Sequence, residues 1–195
     1  MDPRHGKERI ADSMKMDINA TIQAAAVLLG EEPSERMSYI RLLKLLYLAD
    51  REMFRQTGRP ITFDRVVAMK HGPVLSNTYN LIKGEDVAAD RWAAFIDTDR
   101  YHAVLRENPG RGDLSRRAVA ILHQVHRDHS HLDDWKLIEK LHEELDEWRE
   151  NPPPEGGSRP IPINAILDAV GFDEEQSKAV IEDLHKRVAS PRPVA

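Results

Sequence analysis

The amino-acid sequence predicts a mainly α protein, a compact helical bundle around a buried central helix with a small β-ribbon insertion. Three observations predict it. Apolar residues recur at helical spacing in stretches bounded by capping residues and glycines. Residues 42–49 are apolar nearly all round, as a helix enclosed by other elements requires. Two turn-forming pairs, Arg59-Pro60 and Gly72-Pro73, bracket short β-prone pieces between the helical ones.

Taken in order, residues 1–15 carry no apolar periodicity and read as a flexible leader. A first helix is expected over residues 18–29, with Asp17 as its cap and Gly30 as its stop. Ser38 caps a second helix that runs to Gln56 and ends at Gly58. After the Arg59-Pro60 turn, residues 61–63 and 66–69 are expected to form the ribbon. His71-Gly72-Pro73 breaks that ribbon, and Pro73 starts a third helix through Tyr79 to Ile82, because proline suits a first helical position. Residues 92–96 and 101–105 fit either a helix end plus a strand or a second hairpin.

A helix over residues 115–129 places Leu114, Ala118, Ile121, Leu122 and Val125 on one face. Another over 133–148 aligns Trp135, Ile138, Leu141, Leu145 and Trp148. Residues 151–162 are rich in proline and glycine and read as a loop. A helical pair over 163–170 and 173–188 closes the chain, with Asp173 and Gln176 spaced as a capping box. The expected organisation is a leader (1–15), a helical domain (16–150), the loop (151–162) and a C-terminal helical pair (163–195).

Composition narrows the function classes. Apolar residues make up 41% and charged residues 31%, the balance of a soluble globular chain. Arg41, Lys44, Asp50 and Arg51 interrupt the longest apolar run, so no membrane span is expected. The absence of cysteine excludes thiol catalysis, disulfide staples and cysteine-based zinc sites, and it fits a reducing cytoplasm. A net charge of -5 argues against nucleic acid as a partner. The last helix begins Asp173-Glu174-Glu175, which phosphates would repel, so it is not a recognition helix.

The chemistry-bearing residues give little sign of catalysis. His123, His126, His129 and His131 form a dense tract, but His129 falls with the apolar stripe and His123 points nearly opposite. They do not converge on one metal. His142 lies within an apolar stripe and reads as a core or interface histidine hydrogen-bonded to a neighbour. The chain has no nucleophile elbow, phosphate-binding loop or dinucleotide fingerprint. No cofactor, metal or catalytic residue is therefore expected, and the chain is not read as an enzyme. Two rival readings remain: an enzyme using His142 with a nearby carboxylate, and a nucleic-acid-binding regulator. The second would use Arg41, Lys44, Arg51 and Arg55, which lie within about a quarter-turn on the second helix. That basic stripe is either solvated edge or a surface for an acidic partner.

Three segments, in order, resemble the Panacea domain, a family of bacterial and phage antitoxins that includes SocA-like and GepA-like proteins. The first is Lys44-Leu45-Leu46-Tyr47-Leu48-Ala49, followed by Gly58-Arg59-Pro60. The second is Ala68-Met69-Lys70-His71-Gly72-Pro73-Val74, ending in Tyr79. The third is Leu132, Leu137, Leu141-His142 and Trp148. Met69 and His71 stand where the family often has aromatic residues.

The resemblance implies a protein that neutralises a toxin encoded beside it, by direct complex formation or by delivering the toxin to a cellular protease. It is compatible with homo-oligomerisation. In that reading Leu45, Tyr47, Gly72, Pro73, His142 and Trp148 are structural. Partner contact falls to Phe63, Lys70, His71 and Tyr79, with Arg41, Lys44, Arg51 and Arg55 beside them.

Overall fold

The structure, a computed structural model, describes residues 15–189. The expected leader over 1–15 therefore lies outside the described residues, except for Lys15. Among the described residues there are nine helices and two three-stranded antiparallel sheets, a mainly α architecture.

Helix α1 (Ile18–Leu29) is capped by Asp17, whose carboxylate accepts from Ala20 N at 3.1 Å. Strand β1 (Arg36–Ser38) leads into helix α2 (Tyr39–Thr57), capped by the Ser38 hydroxyl and closed by Gly58 at φ 69. A side chain at Gly58 would meet Val180 at 2.9 Å, so glycine there both turns the chain and admits a later helix. Along α2, Arg41 to Tyr47, Ala49 and Asp50 are buried. Its contacts include α1 and six elements that follow in sequence.

Strands β2 (Val66–Met69) and β3 (Gly72–Leu75) form a hairpin turned by Lys70-His71. Here the structure corrects two expectations. Residues 61–63 are not a strand; the Asp50 carboxylate holds them as a loop by accepting from Ile61 N and Thr62 N at 2.7 and 2.9 Å. Pro73 does not start a helix: it is extended and pairs with Ala68. Its missing N–H is tolerated because β3 is an edge strand in the order β3-β2-β6.

Helix α3 begins later, at Ser76, and runs to Lys83. Its N-cap position, Leu75, offers no side-chain cap. Asp64 supplies one from outside the helix, accepting from Asn77 N at 3.0 Å and Thr78 N at 2.7 Å. This bond pair fixes where α3, and hence Tyr79, starts.

Of the two alternatives for residues 92–105, the structure combines parts of both. A short helix α4 (Ala89–Ala93) precedes a hairpin of β4 (Ile96–Asp99) and β5 (His102–Leu105), which pairs with β1 in the order β1-β5-β4. Helix α5 (Arg116–His129) forms where expected and is capped by Ser115. The expected helix over 133–148 is two: α6 (Asp134–Glu144) and α7 (Asp146–Arg149), separated where Leu145 turns extended.

The proline-rich segment is more than a loop. Its strand β6 (Arg159–Pro160) joins the second sheet beside β2. Helices α8 (Ile163–Ala169) and α9 (Glu174–Ala189) follow. Ile163, Ile166, Leu167 and Leu184 enter the same hydrophobic core as Leu42, Leu45 and Leu46. Asp173 and Gln176 exchange both bonds of a capping box, at 2.8 and 3.0 Å.

Candidate functional site

The basic stripe on α2 does not form an exposed surface. The Arg41 side chain, 7% exposed, donates to the carbonyls of His129 and Leu132 at 2.7 and 2.8 Å. A guanidinium fork there satisfies carbonyls left open at the end of α5. Arg51 donates through Nε to Glu147 at 2.8 Å and through Nη2 to the Ala169 carbonyl at 3.2 Å. Only Arg55 is exposed, paired with Glu52 one turn back. The expectation failed because helical spacing fixes which residues share a face, not which face meets solvent.

Glu147 is 1% exposed and anchors a closed polar cluster. It accepts from Tyr47 Oη at 2.5 Å as well as from Arg51. Tyr47 is fully enclosed, and burial followed by the Glu147 charge pushes its phenol well above the usual range.

Lys44, one turn earlier on α2, is different. It is 2% exposed, and its Nζ donates to the Pro73 carbonyl at 2.7 Å. Burial pushes its pKa down to about 7. Gly72, at φ 99, packs against it; a Cβ there would stand 3.3 Å from Lys44 Nζ and 3.8 Å from the His142 ring. Gly72 is thus required by both its backbone and its neighbours.

Around Lys44 opens a cleft of about 220 Å³. The start of α2, the β2–β3 turn and α3 build it. Its apolar walls are Ile40, Leu43, Met69 and Val74, and its polar groups are Tyr39, Lys44, Lys70, His71 and Tyr79. Among the described residues no carboxylate lines it. Four sequence-expected residues, Lys44, Lys70, His71 and Tyr79, therefore meet at one place. Phe63 does not join them; it lines a separate cleft with Met53, Pro60 and Leu114.

The rim is aromatic. His71 meets Trp135 edge-on with centroids 5.6 Å apart, and Tyr39 lies 6.1 Å from Tyr79 and 6.4 Å from Tyr101. Lys83 sits over the Tyr79 ring at 4.7 Å. Trp135 is 64% and Tyr101 70% exposed. The sequence aligns Trp135 with Ile138 and Leu141, and the structure separates them. The buried face of α6 is Leu137, Ile138 and Leu141, and Trp135 sits roughly 110° around the helix from its centre, a signal the spacing contained. Nothing in the sequence pointed to Tyr39 or Tyr101.

His142 stacks flat on Trp148, with centroids 4.1 Å apart, and Trp148 Nε1 donates to the Met69 carbonyl at 3.0 Å. This pair braces the hairpin from behind. The hydrogen bond expected for His142 is not made: Nε2 is buried with no partner among the described residues. Burial, then the neighbouring Lys44 and His71, lower its pKa. His123 and His126 each meet a separate glutamate, Glu31 and Glu32, and no group of metal-ligating side chains forms among the described residues. A larger groove of about 530 Å³ runs between α2 and α5, but its charges are mixed. Its Glu52 and Asp128 already accept from Arg55 and Gln124. Among the described residues no helix is long and apolar enough to cross a membrane.

No curated protein and no solved structure matches the chain. The model of the antitoxin SocA-like, Panacea domain family matches residues 42–149, which is 108 of the 195 residues. The matched span holds Lys44, the whole β2–β3 hairpin, Tyr79, His142 and Trp148, while Tyr39 and the C-terminal pair lie outside it. The chain belongs to the antitoxin SocA-like, Panacea domain family.

Proposed function

We propose that the chain is the antitoxin of a bacterial or phage toxin–antitoxin pair and neutralises a neighbour-encoded toxin by direct protein–protein binding. The observation that carries this reading is the family match over more than half the chain. In this reading α2 is the buried axis of a rigid platform, and the toxin docks on the face formed by the β2–β3 turn, Tyr39, Tyr79, Tyr101 and Trp135. That face has the composition of an interface: tyrosine and tryptophan supply most binding energy at such sites, and a stable complex buries about 800 Å² per partner. The function needs no catalytic residue and no cofactor.

Co-expression tests the reading. The gene beside this one is induced alone and with the full chain, and growth and complex formation are measured. Rescue of growth together with co-purification supports direct neutralisation. Rescue with loss of the toxin from the cell points to delivery to a protease instead. Absence of rescue with soluble protein present refutes the antitoxin reading.

A further inference from the structure

We infer that the Lys44 cleft is a carboxylate socket: it receives an aspartate or glutamate side chain from the partner protein, with an apolar neighbour of that residue against Leu43, Met69 and Val74. The inference rests on the antitoxin reading for the identity of the partner and on the cleft for its chemistry.

The cleft's inventory is one-sided. Lys44, Lys70, Tyr39 and Tyr79 all bring donors, and His71 adds a ring nitrogen, while none of the lining side chains is a carboxylate. This occurs in a chain whose 33 acidic residues outnumber its 28 lysines and arginines. Lys44 Nζ has three protons to donate and, among the described residues, one acceptor, the Pro73 carbonyl. Lys70 is exposed and makes no ion pair among the described residues. The groups facing Lys44 are His71 on the turn, His142 on α6 and the phenols of Tyr39 and Tyr79, so among the described residues no acid answers it.

An incoming carboxylate supplies the missing acceptors, and its charge favours the protonated form of a lysine that burial otherwise holds near neutrality. Charge-assisted bonds of this kind are the strong ones. Apolar walls on one side and donors on the other then select an acidic residue beside an apolar one. A phosphate-bearing polymer fits less well, because the walls Ile40, Leu43, Met69 and Val74 offer its backbone nothing.

The test is an NMR titration of the full chain with capped dipeptides, acetyl-Phe-Glu-amide against acetyl-Phe-Gln-amide, with acetyl-Phe-Gln bearing a free C-terminus and inorganic phosphate as further arms. The socket predicts that the glutamate peptide shifts Tyr39, Met69, Lys70 and His71 and binds about tenfold more tightly than the glutamine peptide. Lys70→Gln, at an exposed position, lowers that affinity about threefold or more without loss of fold. Equal binding of both capped peptides, no shift at these residues, preference for the free C-terminus, or tighter binding of phosphate each overturns the inference. Growth rescue by wild-type chain is scored separately. A chain that rescues but shows no preference for glutamate loses the socket and keeps the antitoxin reading; the opposite pair of results does the reverse.

Discussion

Two polar sites lie one turn apart on α2, and they have opposite character. At Tyr47 and Arg51 the donors converge on one oxygen of a single enclosed carboxylate, Glu147, whose second oxygen is buried without a partner among the described residues. At Lys44 the donors converge on an open cleft with one backbone acceptor and, among the described residues, no acid. The first arrangement locks α7 and α8 against α2. The second leaves binding capacity unspent at a rim of exposed aromatic rings. A buried charge whose partners are internal is a structural element, whereas one left short of acceptors is costly to bury, and that cost is what the proposed socket would relieve.

Removing Glu147 should have the largest effect. Glu147→Ala strips Tyr47 and Arg51 of their common acceptor and leaves a buried phenol and a half-buried guanidinium, at a cost of about 3–5 kcal/mol. For a chain of this size the melting temperature should fall by roughly 6–20 °C, measured by thermal unfolding. A fall of no more than a degree or two would mean the cluster is not closed.

Gly72→Ala comes next. Its φ of 99 and the 3.3 Å approach of Lys44 Nζ penalise any side chain, by about 1–3 kcal/mol. Unlike Glu147→Ala, this change should also weaken partner binding, because it displaces Lys44. Chemical denaturation and a binding isotherm on the same variant separate the two effects.

The Lys44 and Asp50 charges sharpen the contrast through pH. Lys44 titrates near 7 in the folded state and near 10.5 when unfolded, so between those values the unfolded chain binds more protons and stability rises with pH. Lys44→Met should remove that rise, a difference on the order of 3 kcal/mol between pH 7 and 9.5. Asp50 has the opposite sign. Burial outweighs its hydrogen bonds from Thr62 and Ile61 and raises its pKa from 3.8 to about 7. The folded chain therefore binds more protons between those values and loses stability as pH rises through them; Asp50→Asn should flatten that limb. Urea midpoints across pH 4 to 10 check both slopes.

Arg55→Ala should do least. Its pair with Glu52 is solvent-exposed, and the change should stay within about 0.5 kcal/mol and leave partner affinity unaltered. An effect on affinity would return Arg55 to the interface.

Much of this molecule was legible in its sequence, for reasons that differ from element to element. Helices α1, α2 and α5 carry their own caps in Asp17, Ser38 and Ser115, so their starts are local facts. The start of α3 was misplaced because its cap, Asp64, comes from before the hairpin. Pro73 misled for the same reason: its extended state depends on pairing with Ala68, which no local signal records. Lys70, His71 and Tyr79 were named from the family resemblance, and the structure brings them to one cleft. Glu147 lies 100 residues from Tyr47, and a contact of that range leaves no trace in spacing.

The central claim is that a face built by the β2–β3 turn and its aromatic rim grips a protein partner. Isothermal titration of the neighbour-encoded protein with wild-type chain, Tyr79→Ala and Trp135→Ala tests it most directly. The account predicts a stable complex with wild type and a loss of about tenfold or more in affinity for each variant, with both variants folded. A complex whose affinity neither substitution changes, or no complex at all, would contradict it.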